Sequence, residues 1–172
     1  MPEVITPPMP DAIRRIADSG DRQLAWQFFV FFSRFEYALK RCPNYLKPSA
    51  APNWDRFSSD HDSEIRRHTS PPLAAAIEYF KTYPPQKQEQ VDGQLTWSEP
   101  KGYDEKERLL VWLLSAVRRV RNNLFHGGKF PGLPVSDPSR DRDLMRHAIA
   151  ILDTSLKLDI EVERRFFDGI DE

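Results

Sequence analysis

The chain has 172 residues, of which 40% are hydrophobic and 30% charged, and its formal net charge is -1. This length suits one domain with a substantial core, and the near-zero charge excludes a uniformly basic nucleic-acid-binding surface. Its single cysteine, Cys42, excludes an internal disulfide and any multi-cysteine metal site, which fits a reducing, cytoplasmic setting.

Residues 1–20 precede the predicted domain. Met1–Pro10 contains four prolines, which predict a disordered or extended arm rather than a helix or a signal peptide. Asp11–Ala17 predicts a short helix, and Ser19-Gly20-Asp21 predicts a stop followed by a new N-cap. We therefore expect an N-terminal arm with a short helix over residues 1–20 and a single helical domain over residues 21–172. No apolar run reaches the ~18 residues that would predict a membrane span.

Gln23–Lys40 predicts the first main helix, because its apolar side chains recur at i, i+3 and i+4. A strand over Phe28–Phe32 is the rival prediction, but the length of the run and its helix-favouring flanks argue for a helix. Arg34 and Glu36 interrupt the apolar surface. We expect Arg34 to lie on a solvated edge of this helix.

The next part of the chain predicts a loop and a short helix. Pro48–Ser59 predicts a loop that Trp54 and Phe57 anchor to the core. Asp60–His68 predicts a short, mostly polar helix. Its histidines and carboxylates invite a metal interpretation, but they lack a dense ligand motif, so we interpret them as a solvated face.

Two further helices are predicted around a polar segment. Ser70 is predicted to cap the first of these helices, because prolines follow it in the first turn. Gln86–Gly102 predicts a polar loop. Asp104, with Glu107 three residues later, predicts a capping box at the start of a helix that runs to about Phe125.

That helix carries two apolar faces. One stripe is predicted to face the core, and a second flank consists of Leu110, Val111, Leu114 and Phe125. Two apolar faces on one helix suggest an internal core and a second contact, such as a partner subunit. Ser139 or Asp141 is predicted to cap the last helix, which runs to about Phe167.

No internal repeat and no strong strand pattern accompany these helices. The sequence therefore predicts an all-α fold, an up-and-down four-helix bundle with additional short helices, which we expect to dimerise.

The segment Arg121–Gly128 concentrates arginine, amide and histidine before two glycines. One interpretation is structural: cations are favoured in the last turns of a helix by its dipole, and glycine is a common helix-ending residue. The other is functional. Asn122 and His126 are four residues apart and share a helix face, whereas Arg121 is ~140° from His126. Arg121 and His126 would converge if the helix unwinds before the glycines, or across a two-fold axis between two copies.

These residue types suit phosphodiester cleavage. Histidine transfers protons near neutral pH, and arginine binds phosphate and stabilises developing charge. Asn122 could bind phosphate or orient the histidine, and no metal is required if the RNA 2′-hydroxyl is the nucleophile. Arg118, Arg119 and Lys129 are candidate substrate-binding residues, because they would supply a local positive field.

Arg121-Asn122-x-x-x-His126, at the end of a late helix in an all-α chain, resembles the signature of the HEPN superfamily. The phenylalanine-rich first helix with Phe35-Glu36 and the Trp54 segment are also similar to that family. The resemblance implies a dimer in which the arginine–histidine motifs form a composite ribonuclease site. It implies cleavage without metal or another cofactor, leaving a 2′,3′-cyclic phosphate. Arg121 and His126 would then be the catalytic pair, with Asn122 and, more weakly, Glu36 in support.

The resemblance further implies a cytoplasmic endoribonuclease in bacterial defence, stress response or a toxin–antitoxin pair. RNA would be the substrate, and an antitoxin or a defence-system protein would be a partner. Gly128 stands where some HEPN toxins carry a tyrosine that a nucleotidyltransferase antitoxin modifies, so that control is not expected here. Because some members keep the fold without catalysis, the alternative is a non-catalytic module that binds a protein or nucleotide.

Overall fold

The first long helix, α1 (Arg22–Arg41), begins where Asp21 accepts a hydrogen bond from the Leu24 N–H at 3.0 Å. The structure is a computed structural model, and it describes residues 21–125 and 138–169. A helix rather than a strand was predicted here, and the helix is confirmed. It ends at Cys42, which precedes a 3₁₀ turn at Pro43–Tyr45.

The described residues are predominantly helical, as predicted. After α1 the elements are α2 (Trp54–Asp60), α3 (Asp62–Arg67), α4 (Pro71–Thr82), β1 (Gln88–Val91), β2 (Gln94–Trp97), α5 (Leu109–Phe125), α6 (Pro138–Leu156) and α7 (Ile160–Phe167). None of the described helices is long and apolar enough to cross a membrane.

Helix α6 lies at the centre of the packing. It contacts α1, α4, α5 and α7, while α1 also packs against α7 and α5 also packs against α2 and α3. The core between these helices is rich in aromatic side chains, and Phe28, Phe35, Phe57 and Phe80 are fully buried. Phe35 of α1 packs against Trp54 and Phe57 of α2, with ring centroids 5.2 and 5.5 Å apart. Large aromatic side chains dominate core energetics through the apolar area they bury, so this aromatic layer fixes how α1 and α2 sit together.

The polar segment 86–102 contains a β-hairpin, so the prediction of a loop was wrong there. β1 and β2 pair antiparallel, with Gln88 opposite Trp97 and Val91 opposite Gln94. The turn residues Asp92 and Gly93 both have positive φ, at 50° and 79°. An Asp-Gly turn is a strong hairpin signal. The strands themselves are mostly polar and exposed, so they lack the alternation that predicts a strand.

The predicted capping box at Asp104 does not start α5. Asp104 instead closes an exposed turn, accepting hydrogen bonds from the N–H groups of Lys106 and Glu107. The helix begins at Leu109, and Asp62 of α3 accepts a hydrogen bond from the Leu110 N–H at 2.8 Å. A residue that is distant in sequence thus satisfies the start of α5, and no local pattern could predict it.

Two other predicted boundaries were also wrong. The predicted loop 48–59 contains α2, which begins after Asn53 because the Asn53 side chain accepts a hydrogen bond from the Arg56 N–H. The predicted last helix is divided into α6 and α7. Asp159 caps α7 by accepting hydrogen bonds from the N–H groups of Glu161 and Val162, at 2.9 and 3.0 Å.

Arg34 does not lie on a freely solvated edge. Its guanidinium donates hydrogen bonds to the carbonyl oxygens of Phe166 and Asp168, at the end of α7. These carbonyls have no partner within the helix, and a cation is favoured beside them. The prediction for Arg34 was therefore wrong, because the partner lies more than 130 residues away in sequence.

Candidate functional site

Arg121 lies in the last turns of α5 and is half-buried. Its guanidinium carbon is 5.6 Å from the centroid of the Phe32 ring on α1. Its Nη1 donates a hydrogen bond to Oδ1 of the neighbouring Asn122 at 3.1 Å. A guanidinium at this distance above an aromatic ring is attracted by the negative charge of the ring face. The side chain is therefore held in place rather than free to rotate in solvent.

Glu36 borders the same aromatic residues. Phe32 stacks on Trp54 of α2, with ring centroids 5.4 Å apart, and the Trp54 Nε1 donates a hydrogen bond to Glu36 Oε1 at 3.3 Å. Glu36 also follows Phe32 by one turn of α1, so the two share a helix face. Arg121 and Glu36 therefore contact the same stacked pair of rings: Arg121 lies above Phe32, and Glu36 accepts a hydrogen bond from Trp54. We call Arg121, Asn122, Phe32, Glu36 and Trp54 the Arg121 edge.

The two asparagines that follow Arg121 have different environments. Asn122 is exposed at the Arg121 edge. Asn123 is buried, and its Nδ2 donates a hydrogen bond to the Gln86 carbonyl oxygen at 2.9 Å. Asn123 therefore attaches α5 to the segment that leads into the hairpin, whereas Asn122 remains accessible to a ligand.

Arg118 and Arg119, the two predicted substrate-binding cations that the structure describes, lie on different sides of α5. Arg118 is exposed and precedes Arg121 by three residues, so both lie on neighbouring parts of α5. Arg119 is half-buried and lines a cleft on another side of the helix. His126 and Lys129 lie outside the described residues.

Two residues of the second apolar flank of α5 are buried in the chain's own core. Leu110 and Leu114 are 0% and 1% exposed, and Val111 is half-buried. Because α5 packs against α2, α3 and α6, its own chain covers Leu110 and Leu114. The part of the flank formed by Leu110 and Leu114 therefore belongs to the chain's own core. The Phe125 side chain lies outside the described residues, and the dimer stays a prediction.

A second polar cluster joins the 3₁₀ turn, the α2–α3 junction and the start of α7. The Tyr45 hydroxyl lies 3.0 Å from His61 Nε2 and donates a hydrogen bond to Asp159 Oδ2 at 3.1 Å. His61 Nδ1 is 2.9 Å from Glu64 Oε2. Burial of the phenol, together with the adjacent Asp159 carboxylate, raises the pKa of Tyr45 far above its usual range.

This cluster connects three elements. We interpret it as structural because the Asp159 side chain caps α7. Within residues 21–125 and 138–169, no three histidine, cysteine or carboxylate side chains form a group that could hold a metal ion. The cluster was missed in the sequence because about 100 residues separate Asp159 from His61.

Comparisons of this chain with protein-family models, with curated proteins and with solved structures find no match. A functional assignment therefore depends on the chemistry of the motif residues and on the surroundings of Arg121.

Proposed function

We propose that the protein is a cytoplasmic, metal-independent endoribonuclease of the HEPN type. In the proposed reaction the RNA 2′-hydroxyl attacks the adjacent phosphorus and the bond to the 5′-oxygen breaks. The products are a 2′,3′-cyclic phosphate and a 5′-hydroxyl end. His126 transfers the protons of these steps, and Arg121 binds the non-bridging phosphate oxygens.

The observation that carries this proposal is the position of Arg121. A guanidinium that lies above the Phe32 ring and bonds to Asn122 is oriented before any substrate arrives. Catalysis by charge stabilisation depends on such preorganised donors, because they need no reorganisation during the reaction. The planar guanidinium can stack on an aromatic ring and still donate N–H hydrogen bonds to a phosphate.

The remaining candidate residues have supporting roles in this proposal. Asn122, exposed beside Arg121, is a second hydrogen-bond donor for the phosphate. Glu36 positions Trp54, and through it the Phe32 ring beneath Arg121. Arg118, Arg119 and Lys129 are assigned to attraction of the RNA backbone, which the near-zero net charge cannot provide over the whole surface.

The proposal includes an up-and-down four-helix bundle of α1, α4, α5 and α6 and a homodimer formed through α1. Support for the dimer comes from an exposed apolar stripe on α1. Trp26 is 65% exposed and stacks on Phe29, and Val30 and Tyr37 are also exposed. Phe29 and Glu36 are seven residues apart and lie on the same side of the helix.

Pairing of two such stripes would bring two Arg121 edges close together, and exposed apolar patches often mark interfaces. Sedimentation as a monomer at micromolar concentration would remove the basis for a composite site. A further partner in this proposal is an antitoxin or a defence-system protein.

The test is incubation of purified protein with total RNA and tRNA in EDTA. We expect cleavage by the wild type, and at least a ~100-fold slower rate for Arg121→Ala and for His126→Ala, as for loss of a charge-stabilising donor or a general acid–base group. Arg146→Ala is the matched control, because Arg146 is an exposed arginine on α6. Its rate should equal that of the wild type, and the products should carry cyclic phosphate ends.

Equal cleavage by the wild type and both site variants would reject Arg121 and His126 as the catalytic pair. Absence of cleavage by every protein on every RNA would favour a non-catalytic module that binds a protein or nucleotide.

A further inference from the structure

A cleft of about 350 Å³ lies beside α5, on a different side from the Arg121 edge. One wall consists of Arg108, Trp112, Ser115 and Arg119, and Ser59 of α2 contributes to the lining. The volume is within the range of small-molecule sites, ~300–1,000 Å³. We call this feature the cation cleft.

The spacing of these residues explains why they line one wall: Arg108 immediately precedes α5, and the other three lie on it. Arg108, Trp112, Ser115 and Arg119 follow one another at intervals of four, three and four residues, which places them on one helix face. The face extends over three turns, or ~16 Å from Arg108 to Arg119. Trp112 and Ser115 therefore lie between the two arginines along this wall.

Four polar side chains of the cleft are available to a ligand. Among the residues that the structure describes, the guanidinium groups of Arg108 and Arg119 form no hydrogen bond or ion pair, and neither do the hydroxyls of Ser59 and Ser115. Arg119 is also half-buried. A partly desolvated cation without a partner is unfavourable, so an anion at this position would be strongly attracted.

The charge of the cleft favours a dianion. Lys101 also lines it, but its Nζ is 2.6 Å from Glu107 Oε1, so these two charges neutralise each other. The two arginines then leave a formal surplus of two positive charges, of which Arg119 would contact the anion directly and Arg108, ~16 Å away along the helix, would add only a weaker, screened attraction. A phosphomonoester carries about -1.5 to -2 at pH 7, whereas a carboxylate or a sulfate ester carries a single charge.

Apolar side chains lie between the two charged ends. Val111 and Trp112 line the middle of the cleft, between Arg108 and the pair Ser115 and Arg119. Ser115 and Arg119 are one helical turn apart, so a hydroxyl and a guanidinium can bind the same anion. The middle of the cleft suits an apolar or aromatic group attached to that anion.

We propose that the cation cleft binds a phosphomonoester on an aromatic body, with the phosphate at Ser115 and Arg119 and the body against Val111 and Trp112. This site shares Arg119 with the residues assigned to attraction of the RNA backbone, but it requires neither Arg121 nor His126, so binding of the phosphomonoester and cleavage of RNA can fail separately. The phosphate could belong to a free small molecule or to the 5′ end of a nucleic acid strand, and the experiment separates these sources.

The test is isothermal titration calorimetry of the full chain with phenyl phosphate. Phenyl sulfate is the isosteric monoanion, and inorganic phosphate lacks the aromatic body. We expect phenyl phosphate to bind more tightly than either. Arg119→Ala should weaken it by about tenfold or more, the loss expected for a charged hydrogen bond. Ser115→Ala should weaken it less, and Arg146→Ala should bind like the wild type.

A second titration uses 2′-deoxy hexanucleotides, which a 2′-hydroxyl-dependent nuclease cannot cleave. Tighter binding of the 5′-phosphorylated strand than of the 5′-hydroxyl strand, with the difference lost in Arg119→Ala, assigns the ligand to a strand end. Binding of phenyl phosphate without that difference assigns it to a free small molecule. Equal affinity of wild type and Arg119→Ala for phenyl phosphate, or no binding to any probe, overturns the proposal.

Discussion

Arg119 and Arg121 are two residues apart on α5, yet their surroundings have little in common. Arg121 lies above the Phe32 ring and bonds to Asn122, at the border of a stacked aromatic layer. Arg119 lines an open cleft and has no hydrogen-bond partner among the described residues. Two residues on a helix correspond to ~200° of rotation, so neighbours in sequence contact different parts of the fold.

The difference between Arg119 and Arg121 shows that the surroundings of each arginine are set by helices distant in sequence from α5. On one side, α1 and α2 supply an aromatic layer that holds a guanidinium in a fixed orientation, as charge stabilisation in catalysis requires. On the other side, α2 contributes the small residue Ser59 and leaves space for a ligand. The two sides should therefore respond differently to mutation.

The largest effect is expected from truncation within the aromatic layer. Phe35 is fully buried and stacks on Trp54, with ring planes 6° apart. We expect Phe35→Ala to lower the free energy of unfolding by ~3–5 kcal/mol, because it removes a buried ring and leaves a cavity. Urea denaturation followed by circular dichroism measures the change.

Val111→Ala is the matched truncation on the other side, in the half-buried lining of the cation cleft. It should cost about 1 kcal/mol or less, since little buried volume is lost. Similar losses for the two variants would mean that the cleft side is as tightly packed as the aromatic side, and the comparison would fail.

An intermediate effect is expected at the start of α5, which carries both sides. The Asp62 side chain accepts hydrogen bonds from the Leu110 N–H and from Arg66 Nε, at 2.8 and 2.9 Å. We expect Asp62→Ala to lower the free energy of unfolding by ~1–2 kcal/mol, because an N–H at the helix start loses its acceptor. Chemical denaturation gives the value.

Asp104→Ala is the control, since Asp104 is the residue that the local sequence predicts as the cap. In the structure its side chain accepts a hydrogen bond only within an exposed turn. The control should change stability by no more than ~0.5 kcal/mol. The reverse order, with the larger loss at Asp104, would contradict the observed start of α5.

These residues also show how far the sequence alone could predict the fold. The periodicity of α1 and the caps at Asp21 and Ser70 are local, and they were predicted. The cap from Asp62 and the contact of Arg34 with α7 were not predictable, because each joins residues more than 45 positions apart. Propensity describes neighbours along the chain, whereas tertiary packing decides which distant group satisfies a helix end.

In the candidate site, too, local features were predictable from the sequence and contacts between distant elements were not. Its residue types and spacing were evident in the sequence, and so was the presence of Glu36 on the aromatic first helix. The aromatic pair that connects Glu36 with Arg121 depends on how α2 packs on α1, and α2 was predicted as a loop. The separation of Arg119 from Arg121 follows from helix geometry, but only the packed fold shows that one side is filled and the other open.

The smallest effect, and the most direct comparison, comes from replacing each arginine by methionine, which retains much of the apolar stem and removes the charge. Arg121→Met should lower the free energy of unfolding by ~0.5–1 kcal/mol, because the attraction to the Phe32 ring is lost. Arg119→Met should be neutral or raise it by up to ~0.5 kcal/mol, since a half-buried cation without a partner is removed. Parallel urea titrations at one salt concentration give the two values.

An equal loss of unfolding free energy in Arg119→Met and Arg121→Met would show that Arg119 already has a stabilising partner. The case for a bound anion in the cation cleft would then lose its electrostatic basis.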